Sequence, residues 1–548
     1  MKHYLRMTYS VILILMLTFM AACSNGKTTE SAKSDETISI ISEDDGPLSK
    51  YAVPVTVRTV MNDVGKDFLS EGDTLENNVW TRGYEEELNI KLTFDWIVEA
   101  ANASSKLNVT LTGGDIPDIF AVGHTQFKQL LEAGKITDLT EVFDKYASQQ
   151  LKSFYSMGGD GLKPVRHEDK LYGLTDYSGS VDTAPMVYIR SDWMENLQLK
   201  PPKTIDDLIM IATAFTEQDP DKNNIKDTYG FQFNKDLDGG WTMKMNGFAN
   251  AYGAFPRIWV KDDKEQLVYG SIQPEMKVAL EKLQQLYKQG VIDQEFGTKD
   301  VNKAAESIMA GKAGIFFGPL ASPFAIGTMM QDETIDWMAY PIPSETGEPT
   351  VVPSEIQNAT VFVVRKDFAH PEALIKLLNF AVEKLYGQSA EQEAGKYLGD
   401  GGQGFQVTPF KMLQPNKNVL IYENVVNALQ SGDTSNLNRE EWSNYEFIQA
   451  YRSGTDRSKW VYERIFGPES TIAVVKYYMD NDLLKLNQFS APPTTTMATK
   501  KATLERLELE TFSKIIYGAA SIDEFDKFVM DWKKLGGSQM TEEVNEQR

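Results

Sequence analysis

The chain has 548 residues, a formal net charge of -23, 42% hydrophobic and 11% aromatic content, and a single cysteine, Cys23. So acidic a chain repels nucleic acid and anionic lipid, which excludes both as partners bound through a basic surface. One cysteine excludes an internal disulfide, so the fold is held by burial alone, and the length calls for two or more lobes.

At the N-terminus, Lys2 and Arg6 precede the apolar run Val11 to Phe19, then Met20-Ala21-Ala22 and Cys23. A charged stretch, an apolar stretch and a small-residue cleavage site, in that order, predict a signal peptide over 1–22. The apolar part is far shorter than the roughly 20 residues of a membrane-spanning helix. Cleavage would leave Cys23 first, which resembles a bacterial lipoprotein signal; its thiol would carry a diacylglycerol anchor with further acylation such as palmitate. Met20 stands where that pattern usually has leucine. The alternative is an ordinary secretory signal with an incidental cysteine. Residues 23–50 are rich in Ser, Lys, Thr, Asp and Glu and predict a flexible tether.

The body starts near Val53-Pro54-Val55-Thr56-Val57. Ile90, Leu92, Phe94 and Trp96 alternate with polar residues, the period of a half-buried strand. Further strands are predicted at Met186 to Ile189, Gly314 to Phe317 and Thr360 to Val364. Thr204 and Asp207 form a capping-box pattern after Pro201-Pro202. Met276, Ala279, Leu280, Leu283 and Leu286 fall on one helical face that Gly290 ends. Pro371 starts a helix carrying Leu374, Leu377 and Leu378. Leu504 to Ile516 and Phe525 to Leu535 give two more. Strands separated by helices predict an α/β architecture.

Several fragments occur in a telling order. Gly114-Asp115-Ile116-Pro117-Asp118-Ile119-Phe120 comes first, then Gly134-Lys135-Ile136-Thr137-Asp138-Leu139 and Tyr188-Ile189-Arg190-Ser191-Asp192-Trp193. Leu199-Lys200-Pro201-Pro202-Lys203-Thr204 follows, then Ala310-Gly311-Lys312-Ala313-Gly314, Gly318-Pro319 and Ala491-Pro492-Pro493-Thr494. The chain resembles an extracellular solute-binding protein of family 1, in the lipoprotein subgroup that serves oligosaccharide ABC importers. The resemblance covers everything after the tether. It implies a two-lobed, Venus-flytrap fold (type II, maltose-binding type) with hinge strands between the lobes and ligand in the cleft. It implies a monomer whose partners are an oligosaccharide, ABC permease subunits and, through Cys23, the outer face of the cell membrane. By order, lobe 1 spans 51–185, lobe 2 spans 186–358, lobe 1 returns over 359–430, and 431–548 belongs mostly to lobe 2. The crossings would fall near Asp182 to Ile189 and Gln357 to Val364.

Asp219, Asp221, Asn223 and Asp227 place oxygen donors at positions 1, 3, 5 and 9 of an EF-hand-like loop, with the carbonyl of Ile225 at position 7. A hard cation with six to eight oxygen ligands requires such wrapping, so a structural Ca²⁺ is expected. Asn224 replaces the usual glycine, and Gly230 stands where a bidentate Glu is expected. The alternative is a plain Asx-rich turn.

Sugar rings offer apolar faces and hydroxyl rims, so their sites pair aromatic side chains with planar polar groups. Loop residues of that kind are Trp241 beside Gly239-Gly240, the cluster Tyr252, Phe255, Arg257 and Trp259, the cluster Asn77, Trp80 and Arg82, then Tyr177, Gln357, Asn358, Glu441, Trp442 and Tyr445. Trp96, Trp337 and Trp532 sit in regular patterns and are read as core. The acidic balance disfavours polyuronides unless Arg82 or Arg257 supplies a local cation. An enzyme reading, a surface glycoside hydrolase or lyase, needs a carboxylate pair, which 78 acidic residues supply without meaning. Scattered histidines and the lack of a nucleophile elbow or phosphate loop give it no support. No catalytic residue is assigned. A surface ligand sensor without transport would share the fold.

Overall fold

The computed structural model describes residues 46–547, apart from 158–160, 177–179, 328–333, 355–359, 400–401, 490 and 492. Cys23, the 1–22 segment, Tyr177, Gln357 and Asn358 lie outside the described residues. No described helix is long and apolar enough to cross a membrane.

Two hydrophobic cores organise the body. The first gathers side chains from Val55 to Leu174 and from Val361 to Met412. The second gathers side chains from Val181 to Val352 and from Val419 to Val544. Each core is the inside of one lobe of a two-lobed α/β fold. The chain therefore passes between cores three times, over 174–181, 352–361 and 412–419.

In the first lobe, Val361–Val364 is the central strand, antiparallel to Ile119–Val122 and to Leu174–Thr175. All four of its side chains are buried, the mark of a strand covered on both faces. Val55–Asp63 pairs in parallel with Ile90–Glu99, the strand that the alternation around Phe94 predicts. Helix Glu372–Tyr386 runs through this core, buried nearly all round. Its Lys376 reaches out of the core because the ammonium finds the carbonyls of Gly46 and Ser49 at 3.1 and 2.8 Å.

The second lobe is built on a four-stranded sheet ordered Trp337–Tyr340, Met186–Arg190, Ala313–Gly318, Tyr229–Phe231. The two central strands bury every side chain. Gly314 is required there: a Cβ would lie 2.3 Å from the ring of Phe215. Helix Ile205–Glu217 starts on the Thr204–Asp207 capping box, and helix Pro274–Lys288 buries the predicted face.

The third crossing departs from the expected return of lobe 1 to residue 430. Helix Lys417–Ser431 places Val419, Ile421 and Val425 in the second core. The break precedes it: Pro415 cannot donate to a helix, and Asn416 adopts a left-handed φ of 57°. Likewise Met186–Arg190 is already an inner strand of the second sheet, so the first crossing lies upstream of 182–189.

Candidate functional site

A cavity of about 780 Å³ opens between the lobes. The first lobe contributes His124 and Gln126, at the start of the helix that follows strand Ile119–Val122, together with Pro164. The second contributes Arg257, Trp259, Tyr269, Asn487, Phe489 and the helix face around Lys501 and Leu504. A second cavity of about 410 Å³ lies in the first lobe and shares Gly123 and Gln126 with the larger one. Its wall carries Asn62, Trp96, Asp176, Thr360, Gln406 and Lys411. Asn62 lies at the carboxyl end of a parallel strand, and Gly123 just after a strand end, where open α/β folds bind ligands. The volumes fall in the usual range for ligand pockets, roughly 300–1,000 Å³ each.

The smaller compartment sits where the crossings converge. The first supplies Asp176, the second Thr360, and Lys411 and Gln406 stand just ahead of the third. The Thr360 N–H donates to Asp176 Oδ1 at 3.2 Å, and the Asp176 N–H donates to the Thr360 carbonyl at 3.1 Å. Burial pushes the Asp176 carboxyl up to about 6, against the pull of Thr360 and Lys411. Burial lowers the Lys411 ammonium, and its Nζ donates to Gln406 Oε1 at 3.2 Å. Just past the first crossing Asp182 is also pushed up to about 6 by burial, although Asn418 on the third crossing donates to it at 2.7 Å. At the mouth of the larger cavity the lobes meet: Lys128 Nζ donates to the Pro493 carbonyl at 2.6 Å.

Of the sequence-predicted cleft residues, Arg257 and Trp259 line the larger cavity. The φ of Arg257 is 64°, a left-handed conformation costing about 1 kcal/mol or more outside glycine. The turn is held by its N–H donating to Ser271 Oγ at 2.8 Å and by its Nε donating to Glu508 Oε1 at 3.1 Å. Glu508 is buried, which pushes its carboxyl up to about 7.

The other candidates lie elsewhere. Trp80 is fully buried, with its ring 4.8 Å from Tyr397 and its indole N–H donating to the Gly404 carbonyl at 2.9 Å. It is a core residue because the Asn78–Thr81 capping box turns the short helix Val79–Gly83 inward. Arg82 is tied to Asp73 at 2.9 Å and to Asn77 at 3.1 Å. Tyr252 is buried against Phe248, and Lys485 lies 4.5 Å over the ring of Phe255. Trp241 is exposed, and the rings of Trp442 and Tyr445 lie 5.9 Å apart, tilted by 30°, on helix Arg439–Arg452. None of these five lines either cavity.

Beside Trp259, the walls use Trp96 and Phe489. Trp96, read as core from its periodicity, leaves part of its ring to a cavity; Trp532 lies behind the wall, 1% exposed, as a core residue. Trp259 belongs to the Arg257 cluster that the sequence singles out; Asn62, Gln126 and Gln406 had no signal.

The 219–227 loop has the expected wrapping. The N–H groups of Asn223 and Asn224 donate to the two oxygens of Asp219 at 3.1 and 3.0 Å. Asn224 takes a φ of 62°. Lys312 engages the carboxylate of Asp227, while Asp221 Oδ1 is buried without a partner. Burial and the neighbouring Asp219 and Asp227 carboxylates raise the Asp221 pKa. Among the described residues no three His, Cys, Asp or Glu side chains converge to hold a metal ion.

The chain is 24% identical over 464 residues to the polygalacturonan/rhamnogalacturonan-binding protein YtcQ of Bacillus subtilis (strain 168), covering 84% of this chain and 86% of that one. It is 23% identical over 546 residues to the lipoprotein LipO of the same organism, covering 97% and 96%. Its fold matches the solved structure of the S. pneumoniae ABC-transporter substrate binding protein FusA, EF-hand mutant in complex with fructo-nystose. That match has a TM-score of 0.59 at 16% identity over 90% of this chain and 98% of that one. The family model for bacterial extracellular solute-binding proteins matches residues 66–384. With two cores, three crossings and a cavity walled by both lobes, the chain belongs to the bacterial extracellular solute-binding protein family.

Proposed function

We propose that this chain captures an oligosaccharide between its lobes and delivers it to an ABC permease, with no chemistry on the ligand. The observation that carries this reading is the cavity walled by both lobes and joined to a compartment at the crossings. Trp96, Trp259 and Phe489 offer faces for sugar C–H groups, and Asn62, Gln126, Gln406 and Asn487 offer planar donors and acceptors. Bonds made to both lobes exist only when the lobes are close together, so ligand shifts an open–closed equilibrium. The relatives' names, a polysaccharide-binding protein and an ABC-transporter substrate binding protein, support it. A screen of glycan fragments by intrinsic tryptophan fluorescence and thermal shift, with product analysis of every hit, tests it. Stabilisation without turnover is expected; turnover of a hit would make the protein an enzyme.

The proposal includes a lipid anchor on Cys23, supported by the signal pattern and by the similarity to a lipoprotein. The protein then works as a monomer on the outer face of the membrane. Each buried CH₂ contributes about 0.8 kcal/mol, so two acyl chains hold it durably. Cys23→Ala is expected to move the protein from the membrane fraction to the medium; retention in the membrane would remove this part.

It also includes a structural Ca²⁺ in the 219–227 loop, held by Asp219, Asp221, Asn223, Asp227 and the Ile225 carbonyl. Supporting it are the alternation of oxygen donors and the raised Asp221 carboxyl, whose Oδ1 is buried without a partner and which a cation would satisfy. Millimolar Ca²⁺ is expected to raise the melting temperature by several degrees and chelator to reverse it. The same curve with and without Ca²⁺ would leave a plain Asx turn braced by Lys312.

A further inference from the structure

We propose that the smaller compartment is a subsite for one sugar unit of the ligand, with Asp176 and Lys411 as its specificity-determining pair: Asp176 accepts from one hydroxyl of that unit, and Lys411 donates to a second. The inference rests on the receptor reading above and deepens it, since that reading uses only aromatic faces and amides.

Among the described residues of this wall, Asp176 is the one acid and Lys411 the one cation. They attract each other through space without forming an ion pair. Asp176 is bonded only to Thr360, which leaves carboxylate lone pairs unused. Lys411 spends a single one of its donors, on Gln406 Oε1 at 3.2 Å. Each charge therefore reaches the compartment with bonding capacity that the protein does not fill.

For stability alone this is a poor arrangement. Burial works against both ions, raising the carboxyl and lowering the ammonium, and a direct pair would relieve each of them. Two opposite charges held apart suit a group that donates at one point and accepts at another. A sugar unit does so through neighbouring hydroxyls. Hydrogen bonds to ionised groups are the stronger kind, so this pair outweighs the amides of Asn62 and Gln406 in fixing how the unit sits. Trp96 on the same wall offers the apolar face, with its indole N–H already committed to Thr110 Oγ1 at 3.0 Å.

The pairing gives binding a pH dependence of known sign. The carboxylate accepts best when ionised, and burial pushes it up to about 6. Affinity is therefore full above that value and falls as pH drops through it. The titratable groups that face Asp176 are Lys411 and Tyr155. Tyr155 stays neutral throughout, its hydroxyl donating to the Thr175 carbonyl at 2.8 Å.

Titration calorimetry of the purified full chain with kestose, nystose, galactotriose, mannotriose and trigalacturonate, at pH 7.5 and pH 5, tests this. Asp176→Asn keeps an oxygen to accept from the Thr360 N–H and loses the charge. It is expected to bind each glycan that the parent binds about tenfold more weakly at pH 7.5. By pH 5 the gap should close, because the parent carboxyl is then protonated too. Comparing the two proteins cancels His124, Asp182 and Glu508, which titrate alike in both. The double variant Asp176→Asn, Lys411→Met is expected to lose about 100-fold in affinity at pH 7.5 while its melting temperature stays level or rises, since two poorly paired buried charges are gone. A parent-to-variant gap that is absent at pH 7.5, or that persists at pH 5, would overturn the inference and leave the receptor reading intact. So would a double variant that is destabilised yet binds as the parent does, which would make the pair structural. Binding of no glycan by the parent at millimolar concentration would remove the receptor reading itself, and the inference with it.

Discussion

Arg257→Met destabilises the protein by about 3–5 kcal/mol at pH 8 and by much less at pH 5.5. The change strands Glu508, which is 1% exposed and bonded to the Arg257 guanidinium. Already in the intact protein burial holds the Glu508 carboxyl at about 7 instead of its ordinary 4.5. A carboxyl raised on folding takes up a proton more readily in the folded state. Its contribution is therefore full below the unfolded value and is lost as pH rises through the folded one. In the intact protein that loss is complete a little above pH 7. Without the arginine the folded value moves higher still, so the variant goes on losing stability above pH 7, where the parent is flat. Near pH 5.5 the stranded carboxyl is protonated and the deficit shrinks to lost packing and hydrogen bonding. Denaturant midpoints at the two pH values check this; equal deficits would contradict it. Adding Glu508→Gln to the variant should recover most of the loss at pH 8, since no buried charge is left unpaired.

Trp80→Ala costs a similar amount, about 3–5 kcal/mol, for a different reason. The indole fills a fully buried site against Tyr397 and Phe380, with ring centroids 4.8 and 6.4 Å away. Its N–H satisfies the Gly404 carbonyl. Truncation leaves a cavity and an unsatisfied acceptor, and the packing is too tight to collapse. A Cβ on neighbouring Gly83 would lie 2.7 Å from the Tyr397 hydroxyl and 2.8 Å from Phe380. Neither cavity includes Trp80, so glycan affinity measured well below the lowered melting temperature should stay within about twofold. A large loss of affinity with unchanged stability would put Trp80 in the cleft after all.

Trp80 also shows what the sequence could and could not disclose. Its loop-like neighbours suggested exposure, yet the Asn78-x-x-Thr81 box was a legible helix start that turns the ring inward. The sheets and helices were readable because each has a local period: the alternation at Ile90 to Trp96, the apolar runs at Met186 and Gly314, the face of Met276 to Leu286. The cavities have no local period. Asn62, Gln126, Asp176, Arg257, Lys411 and Phe489 come from six separate stretches, and only folding brings them near one another. Reading aromatics in loops as cleft residues therefore chose Trp241 and Trp442, which lie outside both cavities. It passed over Trp96, whose strand pattern was real but whose ring borders a cavity. The third crossing had a signal, Pro415-Asn416, that an expected lobe boundary at 430 left unused.

The central claim is that ligand brings the two lobes together. In a Cys23→Ser background, spin labels at Glu132→Cys and Lys500→Cys stand on opposite sides of the cavity mouth, both on exposed positions. Pulsed dipolar distances between them are measured with and without a glycan that binds. The account predicts a broad or longer distribution in the free protein that collapses to one shorter distance on binding, with the glycan recovered intact. An unchanged distribution at saturating glycan, or a cleaved glycan, would contradict it.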